Sequence, residues 1–270
     1  MMKKTEKIKM AILGCGNMST PLVEGFSQQF DNVDLYTYTP SQVRAKELAE
    51  KVKGTFCPTL IDIPTCHFYL IGCKPQQFDE LSKDLGPLLE GECTIISLMA
   101  GKSVEVIKKY LNVKKVVRLM PNTPVKVGQG VHLIYFSPEV EENEEKLLEE
   151  LFSSCGEVFV FEKEDQINLV TPYCGSGPAY IFEMARILIS DLQSKGISQV
   201  GAEKMIKQMI YGASKLMLKS EESPGMLRDK VTSKGGVTAE ALKILGDYKW
   251  EESFKVAMKK AHEKAIKLSE

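Results

Sequence analysis

Up to about position 161, short apolar runs alternate with stretches of helical periodicity. Positions 8–13 carry the pattern of a buried strand; 33–38, 67–71, 94–99, 115–119 and 131–136 repeat it, and 156–161 offers a last one. Between or after them, apolar residues recur three or four apart over 17–29, 41–53, 78–85, 103–109 and 138–153, which predicts helices. Thr39-Pro40 is a start signal for the second of these. Strands alternating with helices of this length mean βαβ units and a mostly parallel sheet. The acidic run from Glu139 to Glu150 carries Val140, Leu147, Leu148 and Leu151 at helical spacing, so it reads as an exposed helix face rather than a functional tail.

Past Glu164 the pattern changes. From Pro178 to Leu268 the apolar residues keep helical spacing and no strand pattern appears. The segment 179–189 is apolar nearly all round, as in a helix buried from several sides, and a partner subunit is a natural source of cover. The chain is therefore read as an α/β domain over 1–164 followed by an all-helical domain over 165–270 that also dimerises.

Composition narrows the class. A chain of 270 residues, 43% hydrophobic and 26% charged, is ordinary for a soluble globular protein and long enough for a sizeable core. A net charge of -1, with lysines spread along the chain, provides no basic field for nucleic acid. The seven cysteines include no C-x-x-C pair and the three histidines do not cluster near them, so no metal is expected and the thiols read as those of a reduced, cytoplasmic protein. Lys3, Lys4, Lys7 and Lys9 ahead of Met10 to Cys15 superficially resemble a lipoprotein signal. That apolar stretch is shorter than the roughly 7–15 residues of such a segment and is interrupted by Lys9. No run approaches the roughly 18 apolar residues of a membrane span, so no membrane partner is expected.

Candidate chemistry begins where the first strand ends. Gly14-Cys15-Gly16-Asn17-Met18-Ser19 places two glycines and a small residue at the positions of G-x-G-x-x-G, between a strand and a helix. The first glycine permits the tight turn, the second lets backbone amides approach a pyrophosphate, and the third position needs a small residue for packing. The following helix N-terminus faces the phosphates with unpaired N–H groups. This identifies an α/β Rossmann-type doubly wound sheet and a nicotinamide dinucleotide. Binders of NAD usually carry an acid about 20 residues on, at the end of the second strand. Here that end reads Tyr36-Thr37-Tyr38-Thr39-Pro40-Ser41, with no acid at the tip. Thr39 and Ser41 can hydrogen-bond a 2′-phosphate and Arg44 can supply charge, so NADPH is favoured, with NADH possible.

Further segments carry a family resemblance. Gly72-Cys73-Lys74-Pro75-Gln76, Val117 to Pro124, Gly175-Ser176-Gly177-Pro178-Ala179-Tyr180 and Val231-Thr232-Ser233-Lys234-Gly235-Gly236-Val237-Thr238, with the N-terminal glycines, resemble Δ1-pyrroline-5-carboxylate reductases in order over nearly the whole chain. The resemblance implies that Leu13, Gly14, Cys15, Gly16, Asn17 and Met18 hold the pyrophosphate. It implies that Gly72, Cys73, Lys74 and Pro75, with Met99 and Ala100 of the 96–101 strand end, lie along the nicotinamide-side ribose. Asn122 falls near the reactive end of the cofactor, and Thr59 where an Asn is common near the adenosine ribose. Ser233, Gly235, Gly236, Val237 and Thr238 grip the substrate carboxylate, and Glu164 matches a position near the substrate. The departures are Lys234 in place of a usual Pro, Val237 in place of a frequent Thr, and Tyr38 where an Arg often helps hold the 2′-phosphate.

The implied reaction is hydride transfer to the C=N of 1-pyrroline-5-carboxylate, giving L-proline, with the Thr238 hydroxyl hydrogen-bonding the ring nitrogen as the catalytic contact. Family members are dimers or higher homo-oligomers with the active site at the subunit interface. Alternatives are another imine reductase, a hydroxyacid dehydrogenase of the same architecture, or a non-catalytic NADP sensor. The helix beginning at Pro178 has no lysine before Lys195, against a hydroxyacid dehydrogenase, and the Gly235-Gly236 loop argues against a sensor. His67 and His132 are read as structural.

Overall fold

The computed structural model describes residues 7–89 and 92–269. Lys3 and Lys4 of the basic run, and Glu270 at the end of the helical domain, lie outside the described residues. Eight strands form one sheet: β1 (Ile8–Leu13), β2 (Val33–Tyr38), β3 (Thr55–Phe56), β4 (Phe68–Ile71), β5 (Thr94–Ser97), β6 (Lys115–Pro121), β7 (Gly130–Phe136) and β8 (Gly156–Val160). Their order is β3-β2-β1-β4-β5-β6-β7-β8. All neighbours are parallel except β6 and β7, which run antiparallel. The reason is local: only a short 3₁₀ turn, Thr123–Val127, joins that pair, and a parallel crossover needs a dozen or more residues.

Five helices cover the sheet: α1 (Ser19–Ser27), α2 (Val43–Val52), α3 (Phe78–Leu85), α4 (Val104–Leu111) and α5 (Glu142–Ser153). The strand period of two divides the core between the faces. Met10 and Ile12 of β1 join Leu22, Val23 and Phe26 of α1 and Leu148, Leu151 and Phe152 of α5 on one side. Ala11 and Leu13 join Phe78 and Leu85 of α3 and Ile107 and Leu111 of α4 on the other.

After β8 the chain is helical: α6 (Asp165–Val170), a π turn over Thr171–Gly175, α7 (Gly177–Ser194), α8 (Gln199–Lys219), α9 (Pro224–Lys230), α10 (Val237–Asp247) and α11 (Trp250–Ser269). Two compact units result, one of Met1–Ser176 with Ala261–Glu270 and one of Gly177–Lys260. Compactness thus divides the chain later than the change of sequence character at 164, because α6 and the π turn stay with the sheet and the end of α11 joins it. There Leu268 lies so close to Gly101 that a side chain at 101 would collide with its carbonyl.

Within the helical unit α7 packs along α8, yet no residue of α7 is buried. The apolar-all-round segment is therefore not buried from several sides in the single chain, as its pattern led us to expect: Phe182 is 63% exposed and Ile187 52%. Within the helical unit these side chains are left open. Among the described residues, no helix is long and apolar enough to cross a membrane. All seven cysteines are free.

Candidate functional site

The strand order reverses direction between β1 and β4, and in an open α/β sheet that switch point opens a crevice beyond the strands' carboxyl ends. Gly14 and Gly72 leave the sheet side by side there, with Gly72 N–H donating to Leu13 O at 2.8 Å and Gly14 N–H to Tyr38 O at 2.8 Å. Gly14 has φ +101°, and a Cβ on it would lie 2.8 Å from the backbone of Gly72 and Cys73. No other residue fits that corner. Ser19, at the third small position, is buried and closes the turn: its hydroxyl donates to Gly14 O and accepts from Gly16 N–H at 2.9 Å. The helix α1 therefore starts at Ser19 rather than at 17, since Gly14 to Met18 is consumed by the turn. The amides of Asn17 and Met18 are paired with no other group among the described residues.

Gly16 differs from Gly14. A Cβ there would meet only Gly72 O, at 3.8 Å. The protein leaves room for a side chain at that position, so a glycine is explained by a ligand's need for close approach rather than by folding. This open wall and the unpaired amides beside it fit a pyrophosphate.

The crevice is a groove of about 730 Å³. Leu13, Gly14, Cys15, Gly16, Asn17 and Met18 line it on the turn side, and Thr39, Ser41 and Arg44 line it at the end of β2. Gly72, Cys73 and Lys74 contribute from the end of β4. The structure thus brings eleven of the sixteen expected dinucleotide-binding residues, with Arg44, into one groove; the other five do not line it. The Cys15 thiol is buried and donates to Tyr38 O at 3.8 Å, and burial pushes its pKa up to about 12. It is an inert turn residue.

Those five lie outside that lining. Pro75 opens the 3₁₀ turn Pro75–Gln77 that leads into α3. Met99 is buried, its sulfur 3.8 Å from the Cys73 thiol, while Ala100 is exposed. Thr59 turns away to Asp62, its hydroxyl and amide donating to Oδ2 at 2.7 and 2.9 Å. Asn122 uses both ends of its amide on the protein, donating to Cys174 O at 3.0 Å and accepting from Val131 N–H at 2.9 Å. It ties β6 to the π turn and to β7.

Glu164 is also engaged with the protein. Its Oε1 accepts from Arg118 Nη1 and from Val104 N–H, both at 3.0 Å. Arg118 is 1% exposed, and its Nη2 donates to Asn168 Oδ1 at 2.7 Å. Ser269, in the last turn of α11, donates to the same Asn168 oxygen at 3.2 Å. Burial lowers the Arg118 pKa, opposed by the Glu164 charge.

His67 and His132 both make contacts inside the sheet-bearing unit. His67 Nδ1 accepts from Lys9 N–H at 3.0 Å. His132 is fully buried between Cys155 and Phe152, and burial pushes its pKa down to about 4.

The helical unit carries the other expected cluster. Gly235 has φ +70°, and Gly236 N–H donates to Ser233 O at 3.0 Å, forming a tight turn into α10. A Cβ on Gly236 would strike the Ser233 hydroxyl. Gly236 is the N-cap of α10 and no side chain caps that end. The first-turn amides, Val237 and Thr238 among them, are left for another acceptor. Val237 is 91% exposed and Thr238 half-buried.

What the sequence reading missed is the opposite wall of the groove. Gln77, Glu80, Leu81 and Asp84 line it from the first residues of the α3 segment onward, at helical spacing i, i+3, i+4, i+7. That spacing was legible as a face, yet a polar face reads as solvated unless the fold sets something opposite it.

A family model, pyrroline-5-carboxylate reductase dimerisation, matches residues 164–268. The pyrroline-5-carboxylate reductase of Staphylococcus saprophyticus is 30% identical over 268 residues, covering 97% of this chain and 98% of that one. Among solved structures, the pyrroline-5-carboxylate reductase of Coxiella burnetii aligns with TM-score 0.87 and 28% identity, covering 99% of this chain and 100% of that one. The Plasmodium falciparum pyrroline carboxylate reductase, solved with NADP bound, shares the fold at TM-score 0.87 and 24% identity, covering 98% and 100%.

Proposed function

The chain belongs to the pyrroline-5-carboxylate reductase family, and we propose that it reduces 1-pyrroline-5-carboxylate to L-proline with NADPH, NADH serving as a second donor. The observation that carries this reading is the pairing, in one chain, of a dinucleotide groove at the sheet's switch point with a helix N-terminus that no side chain caps. The first suits a nicotinamide cofactor and the second a small carboxylate.

The bound cofactor supplies the hydride. Asn17 and Met18 hold the pyrophosphate by their amides at the head of α1, with Gly14 shaping the turn and Gly16 keeping it open. Lys74 and Cys73 flank the nicotinamide-side ribose, and Met99 supports Cys73 from behind. The substrate is a five-membered cyclic imine bearing a carboxylate. The backbone of Ser233, Gly235, Gly236 and Val237 receives that carboxylate at the positive end of α10. Thr238 Oγ accepts a hydrogen bond from the N–H of the protonated ring nitrogen, which keeps that proton when the C=N carbon gains hydride. Orientation is the main contribution asked of the protein, because an iminium already carries its proton.

Glu164 and Asn122 act by positioning. Glu164 holds the first amide of α4 and the buried Arg118, and so sets the segment after Met99. Asn122 sets the π turn whose last residue, Gly175, opens the Gly175 to Pro178 segment. The protein works as a homo-oligomer, the exposed apolar side chains of α7 and α8 being its contact surface. Its seven free thiols suit the cytoplasm.

The test is direct. Mixed with pyrroline-5-carboxylate, the protein is expected to oxidise NADPH, and NADH more slowly, with L-proline as product. Oxidation of neither cofactor would overturn the assignment.

A further inference from the structure

In this fold the tip of β2 reads the cofactor's ribose: an acid there accepts from a 2′-hydroxyl, whereas a nearby cation accommodates a 2′-phosphate. Here the tip carries neither, since it reads Tyr38-Thr39-Pro40-Ser41. Charge comes instead from the flanking helices. Arg44, in the first turn of α2, lines the groove on one side, and Glu80 and Asp84 line it from α3 on the other. Asp79 of α3 is paired with Lys102, but Glu80 and Asp84 enter no ion pair among the described residues. Both are exposed at the groove wall. Their field reaches the β2 tip: the Tyr38 hydroxyl is made less acidic first by partial burial, then by the charges of Asp84 and Glu80.

We propose that Glu80 and Asp84 determine cofactor specificity, as unpaired carboxylates that disfavour a 2′-phosphate and offset the pull of Arg44. This rests on the reading of the groove as the NAD(P)H site. A 2′-phosphate carries about −1.5 to −2 charges at neutral pH, as a phosphoryl group on a hydroxyl does, so beside the tip of β2 it meets the like charges of Glu80 and Asp84 and the opposite charge of Arg44, with Lys74 a further cation in the lining at the end of β4. A 2′-hydroxyl meets no such field. The preference for NADPH that follows from the missing acid at the β2 tip is therefore weakened from the far wall, and the chain discriminates only modestly between the two cofactors. Since all three side chains border water, the effect is a few-fold per charge and falls with salt.

The experiment is calorimetric titration of the full-length protein with NADP⁺ and NAD⁺, and with the fragments 2′,5′-ADP and 5′-ADP, which lack the nicotinamide. The variants are Glu80→Gln with Asp84→Asn, and separately Arg44→Gln. At about 20 mM salt the double variant is expected to bind NADP⁺ and 2′,5′-ADP about 3- to 10-fold more tightly than the parent, with NAD⁺ and 5′-ADP unchanged within about twofold. At about 300 mM salt most of that gain should vanish. Arg44→Gln should shift the same ratio by a similar factor the other way. An unchanged NADP⁺/NAD⁺ ratio in the double variant overturns the proposal, as does an equal gain for both nucleotides. Parent protein that binds neither dinucleotide overturns the assignment of the groove itself and this proposal with it, a result distinct from binding with an unmoved ratio.

Discussion

The two compact units treat their apolar residues in opposite ways. In the sheet-bearing unit, Met10, Ile12, Leu22, Phe26, Phe68, Leu70 and Ile96 are all fully buried. In the Gly177–Lys260 unit only Ala202 and Met258 appear among the buried hydrophobic residues described, while Phe182, Met209, Tyr211, Leu216 and Phe254 stand 45–63% exposed. A sheet with helices on both faces can bury its apolar side chains within one chain. Helices without a sheet to cover have only each other. Apolar periodicity therefore reports that a face requires cover, not where the cover comes from. The first unit is self-sufficient, and the second is finished by another copy.

The strongest way to break this comparison is to charge the uncovered face. Phe182→Asp is expected to turn the homo-oligomer into monomers and to lower activity more than about 100-fold, since several kcal/mol of apolar burial across the interface would be lost. Phe26→Ala, in the self-sufficient core, should cost about 3–5 kcal/mol of stability and leave the subunit number unchanged. Light scattering with an activity assay reads both. A fully active Phe182→Asp monomer would show that the helical unit needs no partner.

A second contrast is in pH dependence. His132 is buried in the sheet-bearing unit with a pKa of about 4, below the value of about 6.5 it has when unfolded. Between those values the unfolded chain holds the extra proton. Stability from this group is thus complete above about pH 6.5, falls as pH drops toward 4 and is flat below that, a loss of roughly 3 kcal/mol at most. Urea midpoints measured across this range should show the slope, and His132→Gln should flatten it. Because the histidine lies within one unit's own core, the slope should not depend on protein concentration. A slope that varied with concentration would place its origin in the assembly instead.

How much of this was legible in the sequence follows from the range of each interaction. The bounds of β1 and β2, and of α3, agree with the pattern because apolar runs and local helical spacing decide them. Helix α5 begins at Glu142 rather than at 138, since residues 138–141 make a turn in which Val140 N–H donates to Ser137 O. Glu144 departs from the exposed-face reading of its acidic run. It is buried, accepting from Thr94 Oγ1 at 2.8 Å, with Lys115 Nζ 3.0 Å away. Those partners are far off along the chain, and no local pattern announces them. The same holds for Glu164 and Arg118, and for Glu80 and Asp84, whose importance depends on the tip of β2 standing opposite. The glycine turn was legible because its chemistry is local; the far wall was not, because it is assembled by the sheet.

Within the turn, Gly14 and Gly16 separate folding from binding. Gly14→Ala would force a side chain to φ +101° and 2.8 Å from the next strand's backbone, so it should cost about 1–3 kcal/mol of stability and about 30-fold in cofactor affinity. Gly16→Ala meets no protein atom closer than 3.8 Å and should keep the parent's melting temperature while weakening NADP⁺ binding about 10- to 30-fold. Calorimetry and thermal melts on the two variants distinguish these outcomes. A Gly16→Ala protein with unimpaired binding would mean that nothing approaches that wall.

The smallest effect tests the helical unit's own chemistry. Thr238 lies in the first turn of α10, beside the amides proposed to hold the substrate carboxylate. Its hydroxyl is asked to supply a single hydrogen bond to the ring nitrogen. Thr238→Ala should then lower kcat about tenfold, with NADPH affinity unchanged within about twofold. Thr238→Ser keeps the hydroxyl and should recover most of the rate. If cofactor affinity and kcat fell together, Thr238 would be serving the fold of the groove rather than the substrate. If Ser failed to rescue, its methyl group rather than its hydroxyl would be the contributing part. Either result would leave the two units less cleanly divided between cofactor and substrate than their separate sites imply.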